Sequence, residues 1–143
     1  MMGSGAKRDA AEGRPGRWIV VADDDDDMRS LLSGLFRADG FVVSEAKDGQ
    51  ELLAMLVART APDGTPIAPD LVVTDVQMPG ATGIRVLSHV RRAHPTVPVI
   101  LITAFGSVEL HAQAKRLGAA TVLDKPFDIG ELRKLVQRLL STN

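Results

Sequence analysis

The chain contains no cysteine and no tyrosine among its 143 residues. Disulfides, thiolate nucleophiles and thiolate metal sites are therefore excluded, and the composition suits a reducing compartment. Aromatic residues make up only 3% of the sequence, so stacking platforms for single-stranded nucleic acid have little to be built from. Basic and acidic residues nearly balance at a formal charge of -1, which gives no electrostatic footprint for nucleic acid. No apolar run approaches the ~20 residues of a membrane-spanning helix, and the N-terminus lacks the apolar stretch of a signal peptide. A cytoplasmic location is the expectation, with neither a membrane nor direct nucleic-acid binding.

What is present is an alternation of short β-branched runs with amphipathic segments. Residues 1–16 read as a flexible leader and residues 17–143 as one domain. Trp18-Ile19-Val20-Val21-Ala22 predicts a buried strand, and Met28, Leu31, Leu32, Leu35 and Phe36 follow at helical spacing until Gly40. Phe41 to Glu45 predicts a second strand. Asp48 and Glu51 have the spacing of a capping box, opening a helix through Leu52, Leu53, Leu56 and Val57. A proline-rich loop, Thr60 to Pro69, leads to a third strand, Leu71 to Asp75. Thr82 can cap a helix bearing Ile84, Leu87 and Val90. Val97 to Ile102 predicts a fourth strand, followed by a weakly amphipathic helix from Ser107 to Gly118. Thr121 to Leu123 predicts a fifth, and Asp128 opens a last helix with Leu132, Leu135, Val136, Leu139 and Leu140 on one face.

Five βα units with such apolar strands imply an α/β fold, a doubly wound parallel sheet covered on both faces. In such sheets the functional crevice lies beyond the carboxyl ends of the strands. The residues there are Asp23 and Asp24, Asp75, Thr103 and Lys125. Three carboxylates form an oxygen-rich cage suited to a hard divalent cation, with Mg²⁺ fitting better than Ca²⁺ because it needs fewer protein ligands. Without a cation, mutual repulsion is expected to raise the pKa of at least one of the three. The rest of the block Asp23–Asp27 has a plainer use: Asp25 or Asp26 can cap the first helix, and Asp27 lies in its positive first turn.

These motifs carry a resemblance. Asp23-Asp24, Asp75-Val76-Gln77-Met78-Pro79-Gly80, Ile102-Thr103-Ala104 and Lys125-Pro126-Phe127 stand in the order seen in receiver domains of two-component response regulators. The similarity covers the chain from Trp18 to its C-terminus. It implies a flavodoxin-like (βα)5 fold with strand order 2-1-3-4-5 and a cis Lys125-Pro126 bond. It also implies that Asp75 accepts a phosphoryl group from a histidine kinase or a phosphotransfer protein of a phosphorelay. Asp23, Asp24, Asp75 and the Gln77 backbone carbonyl would hold Mg²⁺, for which Mn²⁺ can substitute, while Thr103 and Lys125 engage the phosphoryl oxygens. The module would catalyse its own phosphorylation and dephosphorylation without being a turnover enzyme.

The resemblance further places an output partner or a homodimer contact on the fourth helix, fifth strand and fifth helix, where Lys115, Arg116, Arg133, Lys134 and Arg138 supply charge. Phe105 is expected to shield the acyl phosphate from water, and the Gln77 side chain to orient the attacking water.

Two positions depart from the family pattern. Val122 stands where an aromatic residue usually swings inward, so the coupling from Thr103 to the output face is expected to be wired differently. Ala81-Thr82 replaces an apolar residue and Asp, with little expected consequence. The rival functions are a phosphorylation-independent binding domain, an aspartyl-nucleophile phosphatase and a flavin-binding member of the same fold. The phosphatase needs Asp-x-Asp-x-Thr or Val, and Asp27, Met28 or Arg29 stands where that residue belongs. The flavin reading needs a glycine-rich first loop, and this one is acidic.

Overall fold

The computed structural model describes residues 16–141. The 1–15 part of the expected leader lies outside the described residues. Five strands alternate with five helices: β1 (Trp18–Ala22), α1 (Asp26–Ala38), β2 (Val42–Ala46), α2 (Gly49–Ala58), β3 (Leu71–Asp75), α3 (Gly83–Ala93), β4 (Val99–Thr103), α4 (Val108–Arg116), β5 (Thr121–Asp124) and α5 (Ile129–Leu140). The strands form one sheet in the order β2-β1-β3-β4-β5, every pair parallel. This is the expected 2-1-3-4-5 order.

Successive strand residues point to opposite faces, so each strand feeds two cores. Val20, Ala22, Val72, Val99 and Leu101 face one layer, where they meet Leu52 and Leu56 of α2, Val86, Leu87 and Val90 of α3, and Ala114 of α4. Ile19, Val21, Leu71, Val73, Ile100 and Ile102 face the other, against Leu32 and Phe36 of α1 and Leu132, Val136 and Leu140 of α5. Each fully buried Leu or Ile side chain contributes about 1.5–3 kcal/mol, so the central strands anchor the fold.

All five helices have an oxygen-bearing N-cap, as their sequences predict. Asp25 is the cap of α1, and Asp26 and Asp27 occupy its first turn. The Asp48 side chain accepts from the Glu51 N–H, while Glu51 reaches back to the N–H of Lys47, one residue before the usual capping-box partner. Thr82, Ser107 and Asp128 cap α3, α4 and α5.

The sequence reading fails at some margins. Leu31 and Val57 were expected on packed faces and are exposed, because Leu32 with Phe36 and Leu52 with Leu56 already fill the space under α1 and α2. The second strand begins at Val42 and the fourth at Val99, each later than its apolar run. Val97 is nevertheless buried, and the Pro98 carbonyl accepts the Val72 N–H at the sheet margin. The single tryptophan closes the opposite end of the sheet from the acidic rim. Its indole N–H donates to Ser44, and the Arg59 guanidinium stacks 4.5 Å from the ring centre. Among the described residues no helix is long and apolar enough to cross a membrane.

Candidate functional site

The carboxyl ends of the central strands bring the expected residues to one rim. β1 delivers Asp23 and Asp24, β3 ends in Asp75, β4 ends in Thr103, and Lys125 follows β5. Ligand oxygens of Asp23, Asp24 and Asp75 all lie within 4.8 Å of one another. Asp75 is held on both sides: its Oδ1 accepts the Gln77 N–H at 3.1 Å, and its Oδ2 accepts the Lys125 ammonium at 3.1 Å. The same ammonium lies 3.7 Å from Asp23 Oδ2.

The acidic run is organised by local hydrogen bonds. Asp23 Oδ1 accepts the Asp25 N–H at 2.9 Å. Asp25 in turn accepts from Asp27 and Met28, and Arg29 pairs with Asp26 while donating to the Asp23 carbonyl. Asp25, Asp26 and Asp27 thus serve the start of α1, leaving Asp23 and Asp24 to the rim.

Burial pushes the Asp23 carboxyl above the ordinary aspartate value; the Asp25 N–H opposes the shift and the Asp75 charge adds to it. The expected rise is present, but desolvation outweighs the repulsion from which it was predicted, because β1 carries Asp23 to 1% exposure. Lys125 is also shifted upward. Burial would lower it, yet the Asp75 hydrogen bond and the charges of Asp23 and Asp75 win.

Whether these residues suit a divalent cation is decided by what they leave unsatisfied. Asp23 Oδ2 is buried and has no hydrogen-bond partner. Three carboxylates face a single ammonium, so negative charge is in excess. Such a buried anion is costly unless a cation completes it, and an all-oxygen donor set is what Mg²⁺ takes. The residues fit.

Thr103 is wholly buried, and its hydroxyl both donates and accepts. It donates to the Gln77 side-chain carbonyl at 3.1 Å and accepts the Phe105 N–H at 3.0 Å. Gln77 therefore touches both Asp75, through its backbone, and Thr103, through its side chain. A shallow groove lined by Asp24, Val76, Gln77, Met78, Pro79 and Thr82 opens beside the cluster.

Phe105 is 76% exposed, and its backbone N–H donates to the Thr103 hydroxyl. Arg133 pairs with Asp39 at the end of α1, which joins α5 to α1 there. Val122 is partly buried and packs toward the layer of α2, α3 and α4. The Lys125-Pro126 bond is cis.

One contact near the site involves His111 of α4. Its Nε2 lies 3.1 Å from both carboxylate oxygens of Asp124, the residue before Lys125. Gly106 sits against this pair, and a Cβ there would fall 1.9 Å from Asp124 Oδ1. The pairing joins α4 to β5 across 13 residues, and no local motif announces it.

Comparison with known proteins agrees with this geometry. Residues 19–137 match the family model described as response regulator receiver domain. The chain is 35% identical over 124 residues to the DNA-binding transcriptional regulator NtrC of Salmonella typhimurium, covering 87% of this chain and 24% of that protein. It is 34% identical over 122 residues to sporulation initiation phosphotransferase F of Bacillus subtilis, covering 85% of this chain and 92% of that one. The chain thus spans about a quarter of the longer relative's length and nearly all of the shorter. Among solved structures, the Francisella response regulator 1452 receiver domain superposes with a TM-score of 0.76 at 29% identity, over 88% of this chain and 98% of that one. The response regulator protein TrrA of Thermotoga maritima, solved in complex with Mg²⁺-BeF, gives 0.72 at 27%, over 87% and 99%.

Proposed function

Because the chain belongs to the receiver-domain family of two-component response regulators, we propose that Asp75 is its phosphoryl acceptor. The observation that supports this is the convergence on Asp75: Lys125 on one side, Asp23 and Asp24 on the other, and Thr103 joined to it through Gln77. The proposed unit is residues 17–143, with the cytoplasmic location expected from its sequence.

In the reaction, an Asp75 carboxylate oxygen attacks the phosphorus of a partner's phosphohistidine. The P–N bond breaks as the P–O bond forms, and the imidazole leaves with the electron pair. Such transfers depend on positioning and charge neutralisation more than on covalent chemistry by the protein. Asp23, Asp24, the Asp75 side chain and the Gln77 backbone carbonyl would hold Mg²⁺ or Mn²⁺, which when bound offsets negative charge on the carboxylates and phosphoryl oxygens. Lys125 already lies beside Asp75 and supplies a second positive charge. Thr103 would donate to a phosphoryl oxygen, the differential contact that distinguishes the phosphorylated state. The acyl phosphate then decays when water attacks phosphorus, which returns the carboxylate and makes the signal transient.

Binding through α4, β5 and α5 is the proposed output, either to a partner or to a second copy. The phosphorylation-independent reading is kept by one observation, that partly buried Val122 has no ring to swing. Intact mass after incubation with a small phosphodonor separates the two readings. Gain of one phosphoryl group, dependent on Mg²⁺ and lost in Asp75→Ala, supports the phospho-acceptor. No gain under conditions that modify another receiver supports the phosphorylation-independent binding domain.

A further inference from the structure

Thr103 is 0% exposed, yet the proposed chemistry needs its hydroxyl to meet a phosphoryl oxygen. Something must uncover it. Among the described residues, its hydroxyl has two hydrogen-bond partners: the Phe105 backbone N–H, in the loop after β4, and the side chain of Gln77. Gln77 is itself exposed. It also donates its backbone N–H to Asp75, so substituting the side chain leaves that contact in place.

We propose that the Gln77 side chain is a positioning latch: it holds the Thr103 hydroxyl in a resting orientation and has to release it before Thr103 can bind a phosphoryl group. This rests on the reading of Asp75 as the acceptor. The hydroxyl has one proton, which cannot serve Gln77 Oε1 and a phosphoryl oxygen together. Whatever stabilises the resting contact is therefore subtracted from the phosphorylated state. Through the Phe105 N–H, the same hydroxyl ties the latch to the β4–α4 loop, so release would be felt at the start of α4.

The size of the effect follows from the bond. A neutral hydrogen bond with one exposed partner sits at the low end of the usual net range, equivalent to about a two- to fivefold change in an equilibrium constant. Gln77→Met keeps the length of the side chain and removes the strong acceptor.

The test measures Mg²⁺-dependent binding of beryllofluoride, a phosphoryl mimic, to wild type, Gln77→Met, Thr103→Val and the double variant. The amide resonance of Phe105 is recorded in the same proteins without metal. The latch predicts that Gln77→Met binds beryllofluoride about two- to fivefold more tightly, and that the gain vanishes in the Thr103→Val background. It also predicts a shifted Phe105 amide in metal-free Gln77→Met. An equal gain in both backgrounds, or no gain with an unmoved Phe105 amide, overturns the latch while leaving the phospho-acceptor standing. Failure of wild type to bind beryllofluoride overturns the receiver chemistry itself, and the latch with it.

Discussion

The centre of the sheet and its β5 edge are built differently. Every residue of β1, β3 and β4 is buried, whereas none of the four residues of β5 is. Helix α3 buries four residues, and α4 buries Ala114 alone. Beside α4 the surface carries two apolar side chains in solvent, Phe105 at 76% and Val108 at 84% exposure. The two regions share Thr103 and Lys125, one at the end of β4 and the other just after β5. The proposed acceptor thus stands among the most buried strands, and the residues that would report its state lie beside the least buried one. A local change at a phosphorylated Asp75 is therefore expected to move α4 and β5 before it disturbs the core.

The two glycines nearest these regions offer the sharpest test of that contrast. At Gly83 an added Cβ would lie 2.6 Å from the Asp75 carbonyl oxygen and 2.9 Å from Val76 Cα, both backbone atoms at the end of β3. Gly83→Ala is expected to lower stability by about 2–4 kcal/mol in urea denaturation. At Gly106 the obstacle is the end of the Asp124 side chain, which can turn away. Gly106→Ala should cost less than about 1 kcal/mol, its main effect being to part His111 from Asp124. Equal losses would remove the distinction between a rigid centre and a soft edge.

The next effect is electrostatic. Asp23→Asn removes a buried charge whose Oδ2 has no hydrogen-bond partner, so the metal-free variant should be more stable than wild type by about 1–3 kcal/mol near neutral pH. The sign with pH follows from the raised Asp23 value. Neutral Asp23 favours folding, and this contribution is fully present below the unfolded carboxylate range and lost as pH rises through the folded value. The advantage of Asp23→Asn should therefore shrink on acidification toward pH ~4 and be largest above the raised titration. Denaturation of both proteins across that range gives the difference directly, and an advantage independent of pH would contradict the assignment.

The smallest effect is at the edge itself. His111 and Asp124 are both substantially exposed, and such a pair contributes under about 0.5 kcal/mol. His111→Ala should hardly change unfolding, yet it should speed hydrogen exchange in α4 and the loop before it. Unchanged exchange there would show that the pair does not restrain the edge.

Much of this plan was legible from sequence because its signals are local. Buried parallel strands appear as short apolar runs, and the caps Asp25, Asp48, Thr82, Ser107 and Asp128 stand immediately before the helices they start. The rim was legible for the same reason, since Asp23, Asp75, Thr103 and Lys125 each terminate or follow such a run. What could not be read depends on distance through space. Gln77 meets Thr103 across 26 residues and Arg133 meets Asp39 across 94, and no period or spacing marks either pair. Leu31 and Val57 show the complementary limit: an apolar residue at helical spacing is buried only where a neighbouring layer still has room. For the Asp23 shift the sequence displays the neighbouring charges that contribute to it, while the larger cause, depth of burial, comes from the assembled sheet.

Hydrogen exchange with and without Mg²⁺ and beryllofluoride is the most direct test of the division between site and readout. The account predicts that the mimic changes amide protection in the β4–α4 loop, α4 and β5 while leaving β1 and β3 as they were. Changes centred on β1 and β3, or bound mimic with no change at α4 and β5, would contradict it.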